Sequence, residues 1–232
     1  MKIEHLTRLN QERAARRACA LVTRLTDGEQ RFVTADAIAA DPLHEALATA
    51  FRLNKSGVVE QDGERYFLKI ETPPLRIIVL GAVHVSQSMA VMARLLGHDL
   101  IVVDPRTAFA SQDRFPETQV IAEWPDVALP RLGLDAHTAF VALTHDPKID
   151  DPGLHLALRS PCFYIGALGS RKTHARRIER LQQAGFSDAE IARIHAPIGL
   201  NIGGISPAEI ALSILGEITA TLRLPAKNNS GQ

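Results

Sequence analysis

RIIVLGAVHVSQSMAVMARLLG, residues 76–97, decides how the rest of the chain is read. The apolar run Ile77-Ile78-Val79-Leu80 is short enough for a buried strand, Gly81 follows it, and an apolar pattern of helical period runs over residues 85–96. Strand, glycine turn and helix in this order open a dinucleotide-binding sheet, whose turn carries the fingerprint G-x-G-x-x-G. Here the three positions are Gly81, Val83 and Ser86. The first glycine supplies the bend. At the second, Val83 places a branched side chain where the backbone normally approaches a pyrophosphate, so ordinary dinucleotide binding at this turn is not expected. His84 comes from the same turn and is a candidate rim residue.

Outward from this unit, strands alternate with helices, the pattern of a parallel sheet. Residues 100–103 form a second strand, residues 140–143 a later one, and residues 163–165 another. The last helix is marked by Ser206-Pro207-Ala208-Glu209, a cap, a first-turn proline and a capping-box glutamate, followed by the stripe Ile210, Ile214, Leu215, Ile218 and Leu222. The fold expected is α/β: a Rossmann-like parallel sheet with helices on both faces, preceded by a small α+β segment. Thr72-Pro73-Pro74 is the natural boundary, because consecutive prolines favour an extended linker. Residues 1–72 then form the small domain, 73–225 the Rossmann-like domain and 226–232 a polar tail. Within the first, strands at 17–25 and 31–34 turn at Asp27-Gly28, a helix opens at Asp41 with Pro42 at its first position, and a hairpin turns at Asp62-Gly63.

Composition narrows the classes of function. The 232 residues are 46% hydrophobic and 22% charged, enough to bury a substantial core. The 26 basic and 26 acidic residues cancel, which removes the whole-chain electrostatic case for nucleic acid or an anionic membrane. No apolar stretch reaches the roughly 18 residues of a membrane span, and the N-terminus lacks the apolar run of a secretory signal, so a cytoplasmic protein is expected. Cys19 and Cys162 are isolated, with no spacing for zinc or a disulfide framework; Cys162 reads as a buried strand cysteine.

In a parallel sheet, ligands bind beyond the carboxyl ends of the strands, and several polar residues fall there. Asp104 ends the second strand 23 residues beyond Gly81, where an acidic residue meets a ribose hydroxyl, and Arg106 beside it suits a phosphate. The bland reading is a turn closing a strand. Thr144-His145-Asp146 ends the 140–143 strand, where His145 could serve as a base or clamp, or the residues to Pro152 could be a polar loop. GALGSRKTHARR, residues 166–177, offers Gly166 and Gly169 for close backbone approach, Ser170 as a helix cap, and Arg171 and Lys172 as cations. It is the preferred anion site. Arg176, Arg177 and Arg180 read as a solvated helix face. The glycine-rich stretch 195–204 must approach something closely, a ligand or the chain itself. No nucleophile–base arrangement and no metal-ligand spacing is evident, so no catalytic and no metal-binding residue is assigned.

YIGALGSRKTHARRIERL (164–181) and IHAPIGLNIGGISPAEIALSILGEI (194–218) closely resemble the C-terminal Rossmann-like domain of the XdhC/CoxI accessory proteins. GAVHVSQSMA (81–90), VVDPR (102–106) and LTHDPK (143–148) resemble further signatures of that family in the same order. The resemblance covers residues 74–224. It implies a maturation chaperone that binds the molybdenum cofactor, molybdopterin, supports its sulfuration and delivers it to a molybdenum hydroxylase such as xanthine dehydrogenase or carbon monoxide dehydrogenase. The implied partners are a cysteine desulfurase and the hydroxylase large subunit. Family members usually show G-A-G-H-V-G at the first turn, from which Val83 and Ser86 depart. ERAARRACALVTRLTDGEQRFV (12–33) resembles only the later part of the family's N-terminal domain, so residues 1–72 read as a shortened version without its G-G-C-type motif. The residues alone leave two further readings, an NAD(P)-linked oxidoreductase and a nucleotide-sensing domain with a degenerate site. A homodimer would give the short N-terminal segment somewhere to bury its apolar face.

Overall fold

The structure is a computed structural model that describes residues 3–225. The tail expected at 226–232 lies outside the described residues. The chain divides into two compact units, Met1–Pro73 and Pro74–Gln232.

In the first unit, helix α1 (Ile3–Ala14) precedes strands β1 (Cys19–Arg24) and β2 (Gln30–Thr34). A 3-10 turn (Ala35–Ala40), helix α2 (His44–Leu53) and strands β3 (Gly57–Gln61) and β4 (Glu64–Glu71) follow. The sheet is antiparallel in the order β2-β1-β4-β3. Pairing Ala20 with Ile70 and Val22 with Leu68 puts four apolar side chains on one face, where Leu43 and Leu47 cover them. The expected helix start at Pro42 is corrected. The 3-10 turn precedes Asp41, and α2 begins at His44. Asp41 makes the bend, accepting the Leu43 N–H at 2.8 Å while Arg31 holds its carboxylate from the side at 2.8 and 2.9 Å.

The second unit contains strands β5 (Arg76–Leu80), β6 (Asp99–Val103), β7 (Gln119–Ile121), β8 (Thr138–Ala142), β9 (Tyr164–Ala167) and β10 (Ile194–His195). Its helices are α3 (His84–Leu95), α4 (Pro125–Leu132), α5 (Pro147–Leu158), α6 (Arg171–Gln183), α7 (Asp188–Ile191) and α8 (Pro207–Arg223). All six strands are parallel, in the order β7-β6-β5-β8-β9-β10. Strand order reverses between β5 and β8, and sheets of this kind hold ligands in the crevice beyond the strand ends at such a point.

Alternation along β5 explains why the run is apolar throughout. Ile77 and Val79 face one core with Met89 and Ala93 of α3 and Ile214, Leu215 and Ile218 of α8. Ile78 and Leu80 face the other, with Leu129 of α4, Leu154 and Leu158 of α5 and Leu181 of α6. Helices therefore cover both faces of the sheet, as strands hydrophobic on both sides require. The polar loop considered for residues 144–152 is corrected: α5 begins at Pro147, with Asp146 as its cap accepting the Lys148 N–H at 3.0 Å, and Pro152 lies inside the helix. Cys162 is buried as expected but sits in the turn before β9 rather than in a strand.

Candidate functional site

The turn between β5 and α3 is built around contacts within the chain. Gly81 has φ +116°, and a Cβ there would stand 2.9 Å from Thr144 Cγ2 and 3.2 Å from the Thr144 amide nitrogen. Glycine is required because the β8–α5 turn passes directly against it. Ser86 fills the third fingerprint position without loss. Its buried hydroxyl accepts the Val83 N–H at 2.8 Å and lies 2.7 Å from the carbonyl oxygens of both Gly81 and Val83. Val83 is half-buried and packs against the core, with φ −101°, so it does not stand as a free wall in the crevice. Being apolar, it gives α3 no side-chain cap, and His84 is exposed at the first helical position.

Asp104 is fully buried. Its carboxylate accepts the Ala82 N–H at 2.7 Å, the Arg106 N–H at 2.9 Å, Arg106 Nε at 2.9 Å and Arg106 Nη2 at 2.7 Å. Burial pushes its carboxyl up, but these donors outweigh burial and hold it below the ordinary range. The group placed by sequence at a ribose hydroxyl therefore braces the end of β6 against the glycine turn, and Arg106 stacks over Phe109 at 4.7 Å. Arg114 was not anticipated from the sequence. Its Nη1 donates to the carbonyl oxygens of Ala82 at 2.9 Å and Phe109 at 2.8 Å. No local spacing signals a link across 32 residues.

At the end of β8, the Thr144 hydroxyl donates to Asp150 Oδ1 at 2.6 Å. His145 is exposed with φ +60°, an uncommon backbone for a non-glycine residue, at the lip of the same turn. Gly81 and residues 144–145 are thus brought together, at the point where strand order reverses.

The β9–α6 turn ends at the same edge of the sheet, one strand further on. Gly166 is an internal packing position: a Cβ there would meet Ile198 Cδ1 at 2.5 Å and a ring carbon of Tyr164 at 2.8 Å. Gly169 backs onto Thr173, and Ser170 Oγ accepts the Thr173 N–H at 3.2 Å. That leaves the amides of Arg171 and Lys172 unbonded at the positive end of α6, with both side chains exposed. The neighbouring α5 N-terminus carries a carboxylate, Asp146, whereas the α6 cap is neutral. Of these two helix ends, α6 suits an anion. Arg177 corrects the solvated-face reading: it is buried, with Nη2 donating to the Leu168 carbonyl at 2.9 Å.

The glycine-rich stretch approaches the chain itself. Glu217 of α8 accepts the Gly199 N–H at 2.8 Å and the Tyr164 hydroxyl at 2.6 Å, and its Oε1 lies 3.1 Å from His195 Nδ1. Among the described residues, no group of three or more His, Cys, Asp or Glu is placed to hold a metal ion. No described helix is long and apolar enough to cross a membrane.

A six-stranded parallel sheet in this order, with a glycine turn at its reversal point and an open helix N-terminus beside it, defines a Rossmann-type α/β domain. The XdhC Rossmann domain matches residues 77–218, and the chain belongs to the XdhC family. Three relatives share sequence with it. The uncharacterized protein YqeB of Escherichia coli (strain K12) is 30% identical over 164 residues, 71% of this chain and 29% of its own. The molybdenum cofactor insertion chaperone PaoD of the same organism is 30% identical over 158 residues, 68% of this chain and 43% of its own. A probable xanthine dehydrogenase subunit of Bacillus subtilis (strain 168) is 31% identical over 163 residues, 70% of this chain and 47% of its own. The chain thus spans less than half the length of these relatives. A crystal structure described as a xanthine dehydrogenase from Bacillus halodurans shares the fold, with a TM-score of 0.67 and 24% identity, covering 98% of this chain and 66% of that one.

Proposed function

We propose that this protein is an accessory chaperone that binds the molybdenum cofactor, aids its sulfuration and passes it to a molybdenum hydroxylase of the xanthine dehydrogenase or carbon monoxide dehydrogenase type. The observation that carries the reading is the α6 N-terminus, where two free amides and a neutral Ser170 cap lie next to two exposed cations, Arg171 and Lys172. A phosphate monoester, as on molybdopterin, matches that donor set in charge. Family membership and the PaoD relative support the choice of cargo. Gly81, His84, Thr144, His145, Gly169, Ser170 and Arg171 are the residues proposed to face it. Asp104, Arg106 and Gly166 are proposed to shape the crevice from behind.

The donor set also limits what this chain does to the cargo. Burial pushes the Cys19 thiol up to about 11 and raises the Cys162 thiol as well, so neither is a thiolate at neutral pH. Sulfur would therefore come from a partner such as a cysteine desulfurase, and the chain's own residues would bind, orient and shield. In the same proposal the recipient is the hydroxylase large subunit, a second copy of the chain is an assembly partner, and the compartment is the cytoplasm. An NAD(P)-linked reading is less favoured, because both oxygens of Asp104 are already engaged within the protein.

Mass spectrometry of ligand released from protein purified from a molybdopterin-making host tests the proposal directly. Pterin in the wild type is the expected result. Its absence, together with no binding of added cofactor, would remove the assignment. Arg171→Ala and Lys172→Ala are each expected to weaken binding roughly tenfold while leaving the unfolding midpoint unchanged, since each removes one charge-assisted contact from an exposed position.

A further inference from the structure

Beneath the two crevice turns lie a carboxyl and a guanidinium that are both almost fully buried and form no ion pair with each other. Asp150, in α5, is 2% exposed. Its Oδ1 accepts from the Thr144 hydroxyl at 2.6 Å and the Thr144 amide at 3.3 Å, while the buried Oδ2 has no donor. Arg177, in α6, is also 2% exposed, and its buried Nε and Nη1 have no acceptor. No ion pair within 4 Å joins them, although the two helices are held together beside them, where Asp151 pairs with Arg180. The adjacent carboxylate does not resolve the matter, because Asp151 is held in a two-pronged pair by Arg180 at 2.5 and 3.0 Å.

Buried polar atoms left without partners are strongly unfavourable, and they are the usual setting of an internal water. Such waters occur about once per 27 residues and typically satisfy groups of this kind. We propose that Asp150 Oδ2 and Arg177 Nε and Nη1 hold a buried water bridge between α5 and α6, and that this bridge fixes the 144–146 turn and the 168–171 turn against one another. Asp150 acts through Thr144, and Arg177 acts through the Leu168 carbonyl just before Gly169 and Ser170. Both are positioning residues that never meet the ligand. Their effect on anion binding rests on the function proposed above, whereas the bridge does not.

A crystal structure that resolves ordered water should show a molecule within hydrogen-bond distance of both Oδ2 and an Arg177 nitrogen. A direct ion pair or a dry gap overturns the proposal. In solution, hydrogen exchange on the full chain reads the coupling across the bridge. Asp150→Asn is expected to speed exchange at residues 168–171, and Arg177→Met at residues 144–146, each by tenfold or more, roughly the loss of one local structural link. Arg177→Lys, which keeps the charge and a donor, should restore most of the protection, and with Asp150→Asn it decides the matter if Arg177→Met does not fold. Exchange that rises only on the substituted side overturns the bridge. Pyrophosphate titration separates the two readings. Cross-turn exchange without pyrophosphate binding keeps the bridge and removes the anion site, and binding without cross-turn exchange does the reverse.

Discussion

Gly199→Ala is expected to destabilise the second unit by about 3 kcal/mol, combining a left-handed backbone with a steric collision. Gly199 has φ +89°, a region alanine enters with strain. Its added methyl would also press on Ser213 Oγ and stand 3.1 Å from the Ile214 nitrogen and the Ser213 carbonyl carbon. Two of these three are backbone atoms inside α8, which cannot rotate away. The collision would force residue 199 outward and lengthen the 2.8 Å bond from its N–H to Glu217. Trp124, the single tryptophan, lies in the second unit and reports its unfolding. The urea midpoint followed at Trp124 should fall by about 1.5 M for a slope near 2 kcal/mol/M. Gly203→Ala is the control, because φ is again positive at +74° but nothing lies within 4 Å of its Cβ. It should cost only about 1 kcal/mol. Equal losses in the two variants would show that α8 does not confine the 195–204 stretch.

Glu217→Ala should cost about 2–4 kcal/mol at neutral pH, because it strips the acceptor from Tyr164 and Gly199 and leaves both donors unpaired. The pH dependence is more diagnostic. Burial pushes the Glu217 carboxyl up, but hydrogen bonds from His195, Tyr164 and Gly199 outweigh it, and the net shift is downward. A carboxyl held lower in the folded than in the unfolded state stabilises the fold at pH values above its unfolded pKa. That contribution is lost as pH falls through the folded value. The stability gap between wild type and Glu217→Gln should therefore be full at pH 6 to 7 and shrink progressively below about pH 4.5. Urea midpoints measured from pH 7 down to pH 3 check this, and a gap that stays constant across the range would rule it out. Tyr164 contributes as a neutral donor throughout, since burial and the nearby Glu217 raise its phenol far above the ordinary value.

The parallel sheet was legible because β5, β6 and β8 are apolar on both faces, a pattern that few other arrangements produce. Helix α8 announced itself through its capping box and its stripe, and the Ser170 cap through the glycine turn before it. Other elements carry no comparable local signal. Strand β7 is three residues long, α4 contains Pro130, and α1 is mostly polar, with Leu9 and Glu12 as its buried side chains. Long-range chemistry was least legible. The sequence RKTHARRIERL shows several similar cations, and only packing reveals that Arg177 turns inward while Arg171 remains exposed. Asp104 had the right place for ribose recognition, but its partners, the Ala82 amide and the Arg106 side chain, depend on how two turns close together in space.

Ser86 changes what a degenerate glycine fingerprint means. At this position the requirement is for something small that does not hold the helix away from the strand, and a serine meets it while tying the turn to itself through its oxygen. Restoring glycine there would complete the written motif and loosen the object it describes. Relatives whose turns look broken by consensus are therefore better sorted by whether the third residue can reach the Val83 amide than by how many glycines they keep.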